Sequence, residues 1–499
     1  MIKRLLIANR GEVALRVIRA CRELGIESVA VYSDADKGAP HVGAADRAAH
    51  IGPASAADSY LSTTRIIDAA NTTRADAIHP GYGFLSENAA FASGCEHAGI
   101  VFVGPPSGVI AQMGSKIAAR RLMQNAGVPI VPGETPHDQS GQGVAAVLAR
   151  VGLPALVKAV AGGGGKGMRT VTDPADLADA IRAARSEAGS AFGDTSIYIE
   201  RRLLRPRHIE VQLLGDAYGT VLPCVERECS IQRRHQKVVE ETPSPVVSPA
   251  LRRQITSAAA NVAKAVNFTN AGTIEFLLDE EGCFYFLEMN TRLQVEHPIT
   301  EMVTGVDLVR WQIRIARGDT LDLDPARLVS PGGHAIECRI YAEDPDNNFL
   351  PSPGRIRELR VPSGPGVRDD SGATAGLDVP IFYDPLISKL IAWAEDRPLA
   401  ICRMRRALGE YLVTGIKTTI PFFTWLLAQP EFVDGRFHTT YLDEILKTRN
   451  GRPFVAPTPR MEEIAAIAAA IEMAESSPAA ADERTPNNWR AHARTEALR

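Results

Sequence analysis

The sequence predicts an α/β protein, in part α+β, whose N-terminal region forms a doubly wound parallel sheet. Short apolar strand patterns at 5–8, 28–32, 75–79 and 100–103 are separated by helical patterns. Strands separated by helices of this length indicate a parallel sheet with helices on both faces. Further along, the strand patterns follow one another with period-two alternation, notably within 271–290, which indicates antiparallel pairing.

The bulk composition describes a multidomain protein of ordinary polarity. With 499 residues the chain exceeds what one hydrophobic core usually supports, so about two to four domains are expected. The net charge of −4 argues against a nucleic-acid partner. No apolar run is long enough for a signal peptide or a membrane span, so we expect a cytoplasmic protein without a membrane partner. The seven cysteines lack zinc-site spacing and are expected to be reduced.

A run of four glycines, Gly162–Gly165, is followed by Lys166 and Gly167. Without side chains, their backbone amides can approach phosphate oxygens closely. The run is not a Walker loop, because Gly167 stands where that motif requires Ser or Thr. Lys158, at the end of the preceding strand pattern, is placed to meet a phosphate. The alternative is a flexible loop that binds no ligand.

Two carboxylates mark the segment AGTIEFLLDEEGCFYFLEMN as a candidate metal site. If Asp279 pairs with Phe284 across the loop of this hairpin, Glu275 faces Glu288. Like charges directly opposite each other repel, so the pair needs a cation, and Mg²⁺ prefers oxygen ligands. Asn290 points to the same face and can add a carbonyl oxygen. The alternatives are two solvated acids or, less favoured, a glycoside-hydrolysing pair.

Charged residues on both sides of this hairpin suggest an anion site. Downstream, Arg292, Gln294 and Glu296 share a face if the strand persists. A basic side chain beside an acidic one suits a site that binds a small anion and removes its proton. The alternative is a surface ion pair. Upstream, four basic residues fall within a few positions of one another, which suggests an anion site or else a solvated charge run: Arg233, Arg234, His235 and Lys237.

Taken together, the motifs resemble those of the biotin carboxylases over residues 1 to about 447. The matching segments are IANRGE (7–12), HPGYGFLSEN (79–88), MGSK (113–116), AGGGGKGM (161–168), ERECSIQRRHQK (226–237), EMNTRLQVEHPITE (288–301), GHAIECRIYAED (333–344) and FLPSPG (349–354). The resemblance implies an ATP-grasp fold. It divides the chain into an N-terminal domain (1–115), an ATP-grasp domain (116–330) with a mobile lid at about 131–203, a C-terminal domain (331–447) and a linker with a tail (448–499).

The resemblance also implies residue roles. ATP would be bound by Lys116, Lys158, Gly164, Gly165, Glu200, Arg201, Leu203, His208, Gln232, His235, Glu275 and Glu288. Mg²⁺, or Mn²⁺, would be held by Glu275, Glu288 and Asn290. Bicarbonate would be bound by Lys237, Arg292, Gln294 and the amide of Val295, and Glu296 would deprotonate it. Arg339 would stabilise the biotin enolate, with Tyr82 near the ureido ring.

The implied reaction is ATP- and bicarbonate-dependent carboxylation of biotin through carboxyphosphate. No Ala-Met-Lys-Met biotinylation motif occurs, so biotin is expected on a separate carrier protein or biotinylated subunit, and the further partner expected is a carboxyltransferase subunit. The final acceptor stays open among acetyl-CoA (as in fatty acid biosynthesis), propionyl-CoA, another acyl-CoA, pyruvate or another oxo acid. The family's homodimer is also expected, although Pro365 replaces an apolar aromatic that supports its interface, and Arg201 stands where Lys is frequent.

Two other interpretations compete with a biotin carboxylase. A different ATP-grasp ligase, such as a carbamoyl-phosphate synthetase half or a purine-pathway carboxylase, would share the phosphate and magnesium chemistry, but the segments around Arg292 and Arg339 favour biotin. A catalytically dead scaffold subunit is disfavoured because the expected chemical residues are present. Beyond the resemblance, residues 462–475 predict a helix with Ile464, Ile467 and Ile471 on one stripe, and Trp489 is a candidate anchor for a partner.

Overall fold

The computed structural model describes residues 2–159, 168–192, 195–456 and 458–476. The chain divides into a large unit, Met1–Arg452, and a C-terminal unit, Pro453–Arg499. Gly162–Gly165, Lys166 and Gly167, on which the predicted phosphate loop rests, lie outside the described residues, as does Trp489.

The N-terminal region is the predicted doubly wound sheet. Its five strands pair in parallel in the order β3-β2-β1-β4-β5. The elements are β1 (Arg4–Ile7), α1 (Gly11–Glu23), β2 (Glu27–Tyr32), α2 (Pro40–Ala44), β3 (Arg47–His50), α3 (Thr63–Thr73), β4 (Ala77–His79), α4 (Ala89–His97), β5 (Val101–Phe102) and α5 (Ser107–Gly114). The central strand β1 is buried because Leu5 packs into a core on one face and Leu6 into a second core on the other.

A small antiparallel sheet follows, with strand order β6-β9-β7-β8. The elements of this region are α6 (Lys116–Asn125), β6 (Gly133–Glu134), α7 (Gly141–Val151), β7 (Ala155–Ala159), β8 (Arg169–Val171), α8 (Leu177–Phe192) and β9 (Ile197–Arg201). The sheet and its two helices, α7 and α8, enclose a core of their own, in which Val144, Leu148, Val157 and Ile199 are buried.

The largest sheet has eight antiparallel strands in the order β14-β13-β10-β11-β12-β15-β22-β20. Its first part and the helices beside it are β10 (Arg207–Gly215), β11 (Val221–Arg233), β12 (Gln236–Thr242), α9 (Pro249–Ala265), β13 (Asn270–Leu278), β14 (Phe284–Asn290), α10 (His297–Thr304), α11 (Leu308–Ala316) and α12 (Pro325–Val329). Because β12 pairs with β15, this sheet continues without interruption into the C-terminal part of the large unit.

The remaining elements complete both units. They are β15 (His334–Tyr341), β16 (Glu343–Asp344), β17 (Leu350–Pro351), β18 (Gly354–Arg355), β19 (Glu358–Arg360), β20 (Val367–Ser371), β21 (Asp378–Val379), β22 (Leu386–Ala394), α13 (Arg397–Glu410), β23 (Leu412–Thr414), α14 (Ile420–Leu426), α15 (Pro430–Val433), α16 (Tyr441–Arg449) and α17 (Pro459–Ser476). The helix α17 confirms the helix predicted in the tail. Within the described residues, no helix has the length and apolarity to cross a membrane. All seven cysteines are free, as expected.

Candidate active site

A cleft of about 2150 Å³ lies in the large unit and collects most of the predicted site residues. Its lining includes Tyr82, Lys158, Glu200, Arg201, Leu203, His208, Gln232, His235, Lys237, Glu275, Glu288, Asn290, Arg292, Gln294, Val295 and Arg339. Glu296 is fully buried beneath the cleft wall. Lys116 begins α6, but its side chain lies outside the described part, as do Gly164 and Gly165.

The hairpin β13–β14 brings Glu275 and Glu288 opposite each other, as predicted. The predicted route to this register is wrong, because Phe284 pairs with Leu278 instead of Asp279. An irregularity between Glu275 and Phe276 shifts the register by one residue and restores the carboxylate pairing. A bulge of this kind re-aims side chains next to functional sites, and a sequence pattern does not reveal it.

The oxygen atoms of this hairpin suit a divalent cation. The negative charge of Glu275 and then burial raise the pKa of Glu288, so a cation between the two carboxylates would relieve real repulsion. Among the described residues, none forms a hydrogen bond or ion pair with the carboxylate of Glu288, and Glu288 is exposed in the lining of the cleft. Asn290 lies beside the pair, but its Nδ2 donates to Glu275 Oε1 and its Oδ1 accepts from Arg292. The two carboxylates therefore form the better-prepared part of the predicted metal site.

Lys237 is the cationic centre of the buried part of the site. Its Nζ lies 2.5 Å from Glu210, 2.9 Å from Glu275 and 2.7 Å from Glu296. Burial opposes ionisation of Glu275, but the charges of Lys237 and His208 outweigh burial and lower its pKa. One ammonium group thus joins the candidate metal ligands to the candidate base.

Glu296 is held between two cations. Its Oε1 accepts a hydrogen bond from Lys237 at 2.7 Å, and its Oε2 accepts one from Arg339 at 2.9 Å. Burial alone would raise the pKa of Glu296, but the neighbouring Lys237, Arg339 and Arg227 lower the pKa well below its usual range. Arg339 Nε is buried without an acceptor among the described residues. That unsatisfied donor fits a ligand oxygen arriving from the cleft.

The segment after β14 does not continue as a strand. β14 ends at Asn290, because the amide of Thr291 donates to Glu87 instead of to a neighbouring strand. The expected shared face of Arg292, Gln294 and Glu296 is therefore wrong as a strand pattern. The loop nevertheless brings two of them to the hairpin: Gln294 donates to Glu275 at 2.9 Å, and Arg292 donates to Gln294 at 3.3 Å.

Several supporting residues were not predicted. Glu87 accepts a hydrogen bond from Arg292 Nε at 2.8 Å, and only its place in the segment HPGYGFLSEN could have indicated it. Tyr82 donates to Glu12, which also pairs with the fully buried Lys389 at 3.1 Å. Lys389 in turn donates to the carbonyl of Val295. No local pattern around Lys389 pointed to the site, since the strand it belongs to is apolar apart from Ser388 and Lys389.

The structure brings together only some of the residues that are predicted to bind the nucleotide. Lys158 pairs with Glu200, whose other oxygen lies 3.8 Å from Arg120. Arg201 and Leu203, which are also predicted to bind ATP, line the cleft with Glu200. His208 lies 3.1 Å from Glu275, which links this end of the cleft to the hairpin.

The four basic side chains at the turn between β11 and β12 point in different directions and do not form one anion site. Arg233 pairs with Glu343 and Arg234 bonds Asn348, because a tight turn with positive φ at Arg234 and His235 directs neighbouring side chains apart. His235 and Lys237 line the cleft.

Comparisons with known proteins agree with this architecture. Family models match over residues 1–110 (biotin carboxylase, N-terminal domain), 115–324 (carbamoyl-phosphate synthase L chain, ATP binding domain) and 337–444 (biotin carboxylase C-terminal domain). Biotin carboxylase 1 of Bacillus subtilis (strain 168) is 51% identical over 444 residues, covering 89% of this chain and 98% of that protein. A pyruvate carboxylase subunit of Methanothermobacter thermautotrophicus is 51% identical over 444 residues, covering 89% and 90%.

A solved structure extends the likeness to three dimensions. The biotin carboxylase domain dimer of the Hydrogenobacter thermophilus 2-oxoglutarate carboxylase, in complex with MgADP, ADP and bicarbonate, matches with a TM-score of 0.85 and 46% identity. The match covers 92% of this chain and 100% of that one. The fold is therefore the ATP-grasp fold of an ATP-dependent ligase. The chain belongs to the biotin carboxylase family, whose reaction is the ATP- and bicarbonate-dependent carboxylation of biotin.

Proposed function

We propose that the two ends of this cleft perform the two steps of biotin carboxylation and that Glu296 joins them. The proposal rests on the position of Glu296 between two cations. One is Lys237, which also contacts Glu275 of the hairpin, and the other is Arg339, whose buried Nε has no acceptor among the described residues. ATP and bicarbonate react at the first end, and biotin is carboxylated at the second.

At the nucleotide end, Lys116, Lys158 and the glycines Gly164 and Gly165 bind the phosphates in this proposal. Residues 200–203, with His208, Gln232 and His235, form the pocket for the nucleoside. Mg²⁺, held by Glu275 and Glu288 with Asn290 nearby, supplies charge neutralisation for the transferring phosphoryl group. The segment at about 131–203 acts as a lid within the ATP-grasp domain, and its closure excludes water from the reaction.

In the first step, Lys237, Arg292, Gln294 and the amide of Val295 hold bicarbonate against the γ-phosphate. Glu296 takes the bicarbonate proton, the bicarbonate oxygen attacks phosphorus, and the bond to the β-phosphate oxygen breaks to release ADP. Bicarbonate is a poor electrophile, and this transfer converts it to carboxyphosphate. Burial opposes ionisation of Glu296, but the cations around it outweigh burial and favour the ionised form, which the base role requires.

In the second step, carboxyphosphate releases CO₂ and phosphate. Phosphate removes the N1′ proton of biotin, and the resulting nitrogen attacks CO₂ to form carboxybiotin. Arg339 stabilises the negative charge that develops on the ureido oxygen, and its unpartnered Nε–H is available for this contact. Tyr82 also lines the cleft.

The wider assembly is also part of the proposal. A biotin carboxyl carrier protein or biotinylated subunit presents biotin, a carboxyltransferase subunit uses the product, and two copies of the chain form the dimer. The acceptor is an acyl-CoA or an oxo acid; acetyl-CoA, and with it a place in fatty acid biosynthesis, is one member of that class. We place the enzyme in the cytoplasm.

The direct test supplies MgATP, labelled bicarbonate and free biotin to the purified chain. The proposal expects bicarbonate-dependent ADP release, and acid-labile label on biotin that stays there when ATP is later removed. A carbamoyl-phosphate synthetase or purine-pathway carboxylase would release ADP without labelling biotin. A chain that binds ATP but releases no ADP would be a scaffold, and the proposal would be wrong.

A further inference from the structure

A second pair of carboxyl groups lies deeper than the active-site hairpin. Glu240 in β12 and Glu337 in β15 are directly opposite each other in the antiparallel ladder. Both side chains are fully buried. Directly opposite residues have Cβ atoms about 4.5–5.5 Å apart and project to the same face of the sheet. The protein therefore buries two acids side by side, away from the residues proposed to bind metal.

The hydrogen bonding of this pair is incomplete. None of the four carboxyl oxygens of Glu240 and Glu337 has a hydrogen-bond donor within the described residues. Arg339 Nη2 lies 2.5 Å from Glu240 Oε1, which is an ion-pair contact without the alignment of a hydrogen bond. Two ionised carboxylates in such a place would be both unsolvated and mutually repelling. A proton held between them would supply the missing donor.

The surrounding charges do not compensate two anions. The charged and titratable groups near the pair are Arg339, Lys389, Lys237, Glu296, Cys229, Cys338 and Tyr341. Lys237 already contacts three carboxylates. Lys389 contacts Glu12 and the carbonyl of Val295. Arg339 Nη2 is shared with Glu296 at 2.9 Å, and Glu296 adds a further negative charge to the same buried layer.

We propose that Glu240 and Glu337 form an acid pair that keeps one proton at neutral pH, with Glu337 donating it to Glu240, and that Glu240 thereby positions Arg339. The role of Arg339 rests on the proposed function, in which its guanidinium binds the ureido oxygen of biotin. Glu240 is a positioning residue, because it contacts Arg339 and no reacting atom. Its carboxylate holds one edge of the guanidinium while the neutral Glu337 prevents a second anion from drawing Arg339 away from the cleft.

The titration of the two acids agrees with this geometry. Burial raises the pKa of Glu240 to about 7, against the attraction of Arg339. Burial and the negative charge of Glu240 raise the pKa of Glu337 well above its usual range. Because the two groups interact, these protons belong to the pair, and Glu337 is its more strongly protonated member.

The first test replaces Glu337 by Gln, which keeps an N–H donor for Glu240 but cannot ionise. Infrared spectra of the wild type near pH 7.5 should contain the carbonyl stretch of a protonated carboxylic acid, and E337Q should lack it. Acids with a raised folded pKa lose stability as pH rises towards that pKa, so the melting temperature of E337Q should exceed that of the wild type near pH 8.5 and converge with it near pH 5. Identical spectra and parallel stability profiles would overturn the acid pair.

The second test separates positioning from mere packing. E240Q should raise the KM for free biotin several-fold, since an ion pair of this kind is worth roughly a tenfold change when one charge is removed. Any bicarbonate-dependent ATP cleavage in the absence of biotin should be the same in E240Q as in the wild type, and E337Q should carboxylate biotin like the wild type. An unchanged biotin KM in E240Q would overturn the positioning role. Failure of the wild type to carboxylate biotin would instead reject the proposed function, while the infrared result would still decide the acid pair.

Discussion

Arg339 Nη2 and Glu296 Oε2 are 2.9 Å apart, so the group assigned to biotin and the group assigned to bicarbonate are in direct contact. The other oxygen of Glu296 contacts Lys237. A base held by two cations stays ionised, yet it is a weak base until a substrate draws one cation away. Bicarbonate, proposed to bind Lys237, would do so and would bring its own proton to Glu296.

Replacing Glu296 by Ala should reduce bicarbonate-dependent turnover by about 10²–10⁴-fold, the usual contribution of a positioned base. ATP affinity, measured by equilibrium binding of the nucleotide, should change far less. Because Lys237 and Arg339 lower the pKa of Glu296 well below its usual range, the wild type should show no loss of activity from its protonation near neutral pH. Near-normal biotin carboxylation by Glu296→Ala would reject the assigned role.

Combining Glu275→Gln with Glu288→Gln should abolish ATP cleavage, since both oxygen ligands for the metal lose their charge. The single changes should differ in stability without metal. Glu288→Gln removes a repelling charge, so its melting temperature should equal or exceed that of the wild type. Glu275→Gln removes the partner of Lys237 and His208 and should lower it. A marked loss of stability in Glu288→Gln would mean that this acid is structural.

Glu87→Gln tests the support of Arg292. The Nε–H of Arg292 donates to Glu87 at 2.8 Å, and a hydrogen bond between charged groups contributes about 1.5–3 kcal/mol. Glu87 is partly exposed, so the lower end applies, and the KM for bicarbonate should rise about tenfold. The KM for ATP serves as the internal control and should stay within error. If both constants move together, Glu87 supports the whole cleft and not Arg292 in particular.

The sequence was sufficient to predict those parts of the fold in which strand and helix patterns alternate regularly. The alternation of strands and helices before residue 104 predicted the parallel sheet, because buried parallel strands are continuous apolar runs. The facing of Glu275 and Glu288 was predicted correctly, but through a register that the structure contradicts at Phe284. The error was hidden because a one-residue irregularity compensates a one-residue mistake in the loop.

A local sequence pattern could not predict which residues that are far apart in the chain would contact each other. Glu87 is 205 positions from Arg292, and Glu12 comes from the first helix to meet Lys389 in β22. Such pairs form because three separate sheets and their loops meet at one cleft. The hydrophobic periodicity of the sequence does not predict which charged residues will be buried together there. The basic run at Arg233 and Arg234 shows the reverse case, in which neighbours in sequence are separated by a tight turn.

Deleting residues 453–499 should leave carboxylation of free biotin unchanged. The described lining of the cleft ends at Glu444, within the large unit, so the tail supplies none of those residues. If the tail docks a carrier or carboxyltransferase subunit, the truncated chain should still carboxylate free biotin. It should, however, no longer co-purify with its partners, and the overall carboxylation of the acyl-CoA or oxo acid should be lost. Full retention of the partners by the truncated chain would reject docking by the tail.

The loop before β22 should contact the biotin carrier. Tyr383 anchors this loop, because its hydroxyl donates to the Ala54 carbonyl at 2.6 Å and Arg10 lies over its ring. The two residues before it remain exposed: Ile381 at 75% and Phe382 at 52%, with Phe382 on the rim of the cleft. A rigidly held apolar tip costs little entropy to bury, which suits docking of a small biotin-bearing domain.

Replacing both Ile381 and Phe382 by Ser should lower kcat/KM for the biotinylated carrier by at least about tenfold, as expected when an apolar anchor is lost from an interface. The same variant should carboxylate free biotin at the wild-type rate, since the proposed contacts of free biotin are with Arg339 and Tyr82. Val433→Ser is the matched control, because Val433 is 45% exposed but does not line the cleft. Equal losses with carrier and free biotin would place the tip in the active site itself, and no loss with either would show that the carrier docks elsewhere.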